Sequence, residues 1–411
     1  MKACAACQRL FGDGDGFCPI DGKPLLPSVD VVVPPDPDDP RIGAVICGGR
    51  YEVRRKVADG GMGRVYQAID HREHRGVALK ILHADVATDP IAVERFKREF
   101  SFSAKLPHDH IVEVLDFLET EDESYALVME YLEGEELRVQ LKREKTISAA
   151  RVVQMLSQLA IGLGEAHAHK IVHRDIKPDN IFVCDTPEGT RIKLLDFGSV
   201  RDNSEGAKKL TIIGTTIGSP YYMSPEQAQG LADLDHRADV WSLAAIAYEC
   251  LTGKVPFGGS TGPAILLAIL GREPDPPSTV AQAQHVPESV DDVMVDALAK
   301  DPQARVASLA ELADRFGRAY GLTGEHREWA YLREPELAAR IEAGKQHLPV
   351  PRSRQPVPVV KADDADSGSA FRDDEFVMGV PTGSRSTGLV VAIAAVVLLG
   401  VLAVVLVVTL G

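Results

Sequence analysis

Apolar residues recur along this chain with two periods, and the switches between them mark out the elements. From Tyr51 to Val57 the alternation is close to two, the period of a strand with one buried face. Val77-Ala78-Leu79, Ile111–Phe117 and Tyr125–Met129 read as further strands. Between them, Asp89 followed by Pro90 is a helix start, a side-chain cap ahead of a proline at the first helical position. Val93, Phe96, Phe100 and Ala104 then mark one helical face. Ser148–His169 predicts a long amphipathic helix, with Val152, Val153, Leu156, Leu159, Ala160 and Leu163 on the 3.6-residue period. Short apolar strands follow at Ile171-Val172, Ile181–Val183 and Ile192–Leu195. Helical patterning continues to about Tyr320.

The pattern fails or changes outside this central block, 50–319. Residues 27–49 are dense in proline and aspartate, too polar for a core, and read as a linker. Residues 320–348 are charged and partly helical. Residues 349–387 are rich in Pro, Asp, Ser and Gly and read as a disordered tether. Within the last segment, 388–411, the run Leu389–Leu410 carries no charge and a single hydroxyl, Thr409. As a helix it would be about 33 Å long, enough for a hydrocarbon core of roughly 30 Å, and it predicts one transmembrane helix. Arg385 precedes it and no charge follows, which places the bulk of the chain on the cytoplasmic side by the positive-inside rule. The polar, Gly/Cys-rich start has no apolar stretch of the signal-peptide kind, so no leader is expected.

Composition narrows this further. A net charge of −15 over 411 residues excludes a general nucleic-acid-binding surface. Six cysteines are too few and too clustered for a disulfide scaffold. Cys47, Cys184 and Cys250 are scattered and read as small buried hydrophobes. In residues 1–26, Cys4-x-x-Cys7 and Cys18-x-x-Asp21 have the knuckle spacing of a small zinc ribbon, with Asp21 where a cysteine is usual. A polar tail with stray cysteines is the alternative.

The chemistry concentrates in His173–Asn180, HRDIKPDN. A carboxylate (Asp175), a cation two residues on (Lys177) and an amide three beyond that (Asn180) are what phosphoryl transfer uses. The first orients a hydroxyl, the second neutralises a moving phosphoryl, and the third holds a metal. Asp196-Phe197-Gly198 adds a second metal carboxylate. Upstream, Gly60, Gly61 and Gly63 leave a turn between strands free of Cβ atoms, which a plain β-turn or a loop closing over phosphates would use. Lys80 closes an apolar strand, where it would be costly without an anion to meet it, and phosphates or a helix glutamate would serve.

In order and context these motifs resemble the eukaryotic-like (Hanks-type) serine/threonine protein kinases of bacteria. Val57–Val65 is similar to the family's glycine-rich loop, with Ala58 at its first glycine. Val77-Ala78-Leu79-Lys80 is similar to its lysine-bearing strand, and Met129–Gly134 to its hinge. Gly218–Glu226 resembles its activation and substrate segment, with Ser219 for the usual Thr and Ser224 for the usual Ala. Asp239–Leu243 resembles the helix beneath the catalytic loop. Lys300–Arg305 resembles a late motif whose arginine would pair with Glu226.

The resemblance implies an α+β, bilobal kinase fold: a small β-rich N-terminal lobe and a larger helical C-terminal lobe, here with one transmembrane helix added. It implies ATP and Mg²⁺ as cofactors and protein Ser/Thr hydroxyls as acceptors. Asp175 and Lys177 would be catalytic, and Asn180 and Asp196 the Mg²⁺ ligands. Val57, Ala58, Gly60, Gly61, Gly63, Val65, Ala78, Lys80, Glu99, Glu130 and Leu132 would form the ATP site. Zn²⁺ would belong to Cys4, Cys7, Cys18 and Asp21. Arg174 would read a phosphate placed by autophosphorylation at Thr211, Thr215 or Thr216, with two copies of the chain pairing for that step. The setting would be the inner (cytoplasmic) membrane, single-pass, with the kinase in the cytoplasm. Ala58 leaves open a binding scaffold of the same fold without catalysis, and the two ends leave open a membrane-tethered, zinc-dependent adaptor.

Overall fold

The computed structural model describes residues 1–34, 36–197, 201–202, 220–280 and 286–352. These belong to one compact unit, Met1–Gln355. The apolar run Leu389–Leu410 and the candidate phosphosites Thr211, Thr215 and Thr216 lie outside the described residues, as does Gly198. Among the described residues no helix is long and apolar enough to cross a membrane.

The N-terminal lobe is an antiparallel sheet built where the period-two pattern lies. β4 (Val45–Ile46), β5 (Tyr51–Asp59), β6 (Gly63–Asp70), β7 (Arg75–Leu82), β8 (Val114–Glu119) and β9 (Tyr125–Glu130) pair in the order β4-β5-β6-β7-β9-β8. Residues 111–113, expected as strand, precede β8. Ile111 makes only an isolated bridge to Leu194. Alternation along β7 divides the faces: Val77, Leu79 and Ile81 join Tyr51, Val53, Tyr66 and Ala68 in one buried cluster. The opposite face, with Leu82, packs on helix α2 (Pro90–Ser103) through Val93 and Phe96. A short helix, α1 (Ala84–Ala87), leads into α2, whose Asp89 cap accepts from the Ile91 N–H.

Several residues of the segment 27–49, expected as a linker, instead pack along this sheet. Val31 and Val33 are buried, and Ile42, Ile46 and Cys47 cover the Tyr51 cluster. Buried Asp39 accepts from the Tyr66 hydroxyl at 2.9 Å. The prolines and aspartates do not preclude docking because the lobe supplies the apolar surface and the hydrogen-bond donors that the segment lacks. The first residues form a small three-stranded sheet in the order β2-β1-β3, from β1 (Lys2–Ala3), β2 (Leu10–Phe11) and β3 (Leu26–Pro27).

The C-terminal lobe surrounds α4 (Ala149–Ala168), which starts at Ser148 as expected, its side chain accepting from the Arg151 N–H. Before it lie β10 (Gly134–Glu136) and α3 (Leu137–Glu144). After it come β11 (Ile171–Val172), β12 (Ile181–Thr186), β13 (Gly189–Leu194) and β14 (Arg201–Asp202). β10-β12-β13 form one antiparallel sheet, and β11 and β14 form a separate two-stranded pair. α5 (Pro225–Ala228) precedes α6 (Arg237–Thr252), which is buried nearly all round, as a helix at the centre of a lobe must be. Its Trp241 stacks on Phe257 with ring centroids 5.3 Å apart. α7 (Gly262–Gly271), α8 (Pro277–Val280), α9 (Glu288–Ala297) and α10 (Leu309–Ala319) complete the lobe.

Beyond α10 the charged extension is ordered as α11 (His326–Trp329) and α12 (Glu334–Gly344), both packed on α4. Gln158 of α4 joins three segments: its amide donates to Ala330 O (2.7 Å) and Thr190 O (2.9 Å), while its oxygen accepts from Ile192 N (2.7 Å). Trp329 is fully buried, and a Cβ at Gly317 would stand 2.0 Å from its ring.

Candidate active site

The two lobes meet at Lys80. Its ammonium donates to both Glu99 oxygens at 2.9 and 3.1 Å and to Asp196 Oδ2 at 3.4 Å. β7, α2 and the residues after β13 thus converge on one cation. Burial alone would lower the Lys80 pKa, but the charges of Asp196 and Glu99 outweigh it and the net shift is upward. Burial also pushes Glu99 up to about 7, with Asp196 adding and Lys80 opposing. Asp196 has φ 58°, the left-handed region that a non-glycine residue enters only when its surroundings compel it.

Over this point hangs the turn between β5 and β6. Ala58 lies inside the ladder, paired with Val65 and exposed, with none of the positive φ that would demand glycine. That is why a methyl group fits at the first loop position. Gly60 and Gly61 are exposed, and nothing lies within 4 Å of a Cβ added at Gly61. Gly63 is the constrained one: a Cβ there would meet Ile81 O at 2.2 Å. The turn is also tied down by a residue that sequence reasoning missed. The His83 ring lies 2.8 Å from Gly60 O and 3.3 Å from an Asp59 oxygen. Val57 is exposed, Val65 half-buried and Ala78 buried.

Below lies the loop His173–Asn180. Lys177 Nζ donates to Asp175 Oδ2 at 2.7 Å, and Asn180 Nδ2 donates to Asp175 O at 2.8 Å. The Asp175 and Asp196 side chains keep 38% and 37% exposure, open enough to meet a substrate. Arg174, at φ 68°, is held there from several sides. Asp239, at the start of α6, accepts from His173 N and Arg174 N, each at 2.9 Å, and from His167 Nε2 at 2.8 Å. Gln227 donates to Arg174 O at 2.6 Å. Arg138 reaches Asp179, Glu249 and the Tyr222 hydroxyl. Asp239 was legible only as part of a helix motif, and Gln227 and Arg138 gave no local signal.

At the hinge, Glu130 ends β9 opposite Val77, and Leu132 sits half-buried before β10. The Glu130 carboxylate pairs with Lys193 and accepts from Glu113 N at 2.8 Å. Any adenine contact from this position therefore falls to the main chain. The expected Arg305–Glu226 pair forms, two parallel bonds of 2.8 and 3.0 Å, both side chains buried.

At the far end of the unit, Cys4, Cys7, Cys18 and Asp21 do come together. Their ligand atoms all lie within 4.8 Å of one another. Cys7 Sγ and Cys18 Sγ are 3.7 Å apart, and Cys4 Sγ is 3.2 Å from Asp21 Oδ2. For sulfur ligands about 2.3 Å from a tetrahedral zinc, the sulfur–sulfur edge would be about 3.8 Å.

The protein kinase domain family matches residues 51–316. The chain is 35% identical over 277 residues to serine/threonine-protein kinase pkn3 of Myxococcus xanthus, covering 67% of this chain and 50% of that protein. It is 35% identical over 321 residues to serine/threonine-protein kinase PknB of Mycobacterium tuberculosis (77% and 50%). For PknA of Mycobacterium tuberculosis the figures are 37% over 279 residues, 67% and 62%. The chain thus spans about half the length of several of the curated relatives it matches.

Proposed function

The chain belongs to the protein kinase family, and on that premise we propose that it transfers the γ-phosphate of ATP to serine and threonine hydroxyls of proteins. The observation that carries this is Lys80 held between Glu99 and Asp196, because that contact draws both lobes together at the place where phosphates would enter. The Lys80 ammonium would meet the α/β-phosphates while Glu99 keeps it aimed. Asp175 would orient the acceptor hydroxyl and take its proton. Lys177, held by Asp175 in this structure, would turn to the γ-phosphate.

Asp196 and Asn180 suit Mg²⁺. Both offer hard oxygen donors, and the Asn180 amide nitrogen is already committed to Asp175 O, leaving its oxygen for the cation. Bound Mg²⁺ would neutralise phosphate charge. The named kinase relatives favour Ser/Thr acceptors, as does Lys177.

Three finer readings belong to the same proposal. Thr211, Thr215 or Thr216 would take a phosphate in a reaction between two copies of the chain, read by Arg174. Leu389–Leu410 would anchor the protein in the inner membrane with the kinase in the cytoplasm. Cys4, Cys7, Cys18 and Asp21 would hold Zn²⁺, a donor set and spacing that fit a tetrahedral ion.

The test is labelled ATP with Mg²⁺ and a generic protein substrate, beside an Asp175→Asn control. Loss of a catalytic base costs typically about 10²–10⁴-fold, so labelling should all but vanish in the control. Label on phosphoserine and phosphothreonine after acid hydrolysis is the expected product. Equal labelling by both proteins overturns the mechanism.

A further inference from the structure

The cysteine-bearing segment is not a free appendage. Each knuckle is a closed turn. Cys4 N donates to Arg9 O (3.0 Å) and Gln8 N to Cys4 O (2.9 Å). In the second turn, Cys18 N donates to Lys23 O (2.7 Å) and Gly22 N to Cys18 O (2.9 Å). All its thiols are free, and its own interior is little more than Cys4, Cys18 and Leu25 with Cys7 and Phe11 beside them. So small an interior cannot hold a fold by apolar burial alone, and a structural metal is the usual remedy.

The other side of the ribbon is buried against the kinase lobe. Ala3, Leu10 and Val31 form one cluster with Ile69 of β6. Gly76 of β7, the cross-strand partner of Ile69, lies under the ribbon: the place of a Cβ there is 3.4 Å from Met1 Sδ and 3.6 Å from Leu10 Cδ1, ordinary contact distances. Counting by two along each strand, Ile69 shares a face with Gln67 and Val65, and Gly76 shares one with Ala78 and Lys80. The ribbon therefore rests on the sheet face that carries the nucleotide residues, about 13 Å along the strand from Lys80. Its exit is pinned as well. Arg54, buried in β5, donates to Val31 O at 2.6 Å, and Ser28 N donates to Met1 O at 3.1 Å.

We propose that the ribbon is a metal-dependent clamp on the nucleotide face: a zinc-class ion at Cys4, Cys7, Cys18 and Asp21 keeps it in the shape that docks on Ile69 and Gly76, and loss of the ion frees β6 and β7 and weakens ATP binding. This rests on the zinc reading above and adds a consequence for the kinase. The lobe and ribbon touch through side chains that the knuckles position, so the docked surface exists only while the knuckles are closed.

The test uses the full chain. Metal content is measured by elemental analysis, and the dissociation constant for ATP·Mg²⁺ by calorimetry, before and after a zinc-selective chelator with Mg²⁺ in excess. The expected result is one zinc per chain and an affinity for ATP that falls about three- to tenfold on stripping, restored by added zinc. Ile69→Asp, on the lobe side of the contact, keeps its zinc but shows the weakened affinity whether loaded or stripped. Cys4→Ser with Cys18→Ser binds no zinc and matches the stripped wild type. Zinc at one per chain with the same ATP affinity loaded and stripped overturns the clamp and spares the zinc reading. No metal on the full chain overturns the zinc reading and the clamp with it. Because binding rather than turnover is measured, failure of the kinase reading remains a separate result.

Discussion

Replacing Asp239 by asparagine is the sharpest single perturbation of this site. Asp239 is fully buried and touches no substrate position, yet it accepts three hydrogen bonds, from His173 N, Arg174 N and His167 Nε2. Asparagine keeps the shape but offers one oxygen and turns an NH₂ group toward at least one of these donors. Hydrogen bonds to a charged partner contribute roughly 1.5–3 kcal/mol each, and an orphaned buried donor costs about 1–3 kcal/mol. The expected destabilisation is therefore about 3–4 kcal/mol, a large part of a typical 5–15 kcal/mol total. Catalysis should suffer separately. Arg174 at φ 68° relies on this anchor, so the loop should relax and shift Asp175. A misplacement of about 1 Å costs on the order of 10²-fold, so kcat should fall about that much with KM for ATP little changed.

The pH dependence has a definite sign. Burial pushes the Asp239 carboxyl up, but the His167 hydrogen bond, the His167 and His173 charges and the Arg174 N–H outweigh it and hold it below its ordinary value. A depressed folded-state pKa gives stability that is present above the unfolded value, about 3.9, and is lost as pH falls through the folded value. The gap between wild type and Asp239→Asn in urea denaturation should thus be full at about pH 7 and narrow below about pH 4. Steady-state kinetics and urea melts check both parts. A variant within about 0.5 kcal/mol of wild type with unaltered kcat would refute the argument.

Other parts of the fold give equally direct tests. Burial drives the His110 pKa down to about 4. As pH falls from about 6.5 the unfolded chain therefore takes up a proton that the folded chain refuses, and stability should drop by about 3 kcal/mol by about pH 4. His110→Gln should flatten that slope in denaturant melts, and an unchanged slope would count against the assignment. Arg305→Ala strands the buried Glu226 carboxylate and should cost about 3–5 kcal/mol, while Arg305→Lys, which cannot make both bonds, should lose less. A cost below about 1 kcal/mol would mean that water reaches the pair. Gly63→Ala must move the Ile81 carbonyl and should raise KM for ATP and lower stability by about 1–3 kcal/mol, whereas Gly61→Ala, facing open space, should do neither. Equal effects at the two glycines would contradict the geometry.

Much of this site was legible in the chain because it is written in short runs. His173–Asn180 sets its loop by residues that bond one another, as Lys177 and Asn180 do to Asp175. Lys80 and Glu99 lie far apart in sequence, yet each stands at a fixed position on a strongly periodic element. The supports were harder to see. His83, Gln227 and Arg138 act through contacts between distant segments, and nothing in their neighbours announces the partner. Residues 27–49 misled because composition reports what a segment can bury by itself. Val31, Val33 and Asp39 are buried by a surface that the lobe brings to them. The extension after Tyr320, read from the sequence as charged and partly helical, is held in place through Gln158 and the stacking of Tyr331 with His110.

The contact between Gly317 and Trp329 reaches beyond this one chain. The indole fills the space that any side chain at position 317 would need, so the two positions exclude each other's alternatives. Position 317 lies just past the end of the family match, on the last helix of the lobe, and position 329 lies in the added segment. A side chain at position 317 would displace the indole, so a chain that packs an indole here needs glycine at the first site. Paired occupancy of these two positions is thus a signature that would sort kinase sequences into those that carry this buttress and those that end without it, before any of their structures is known.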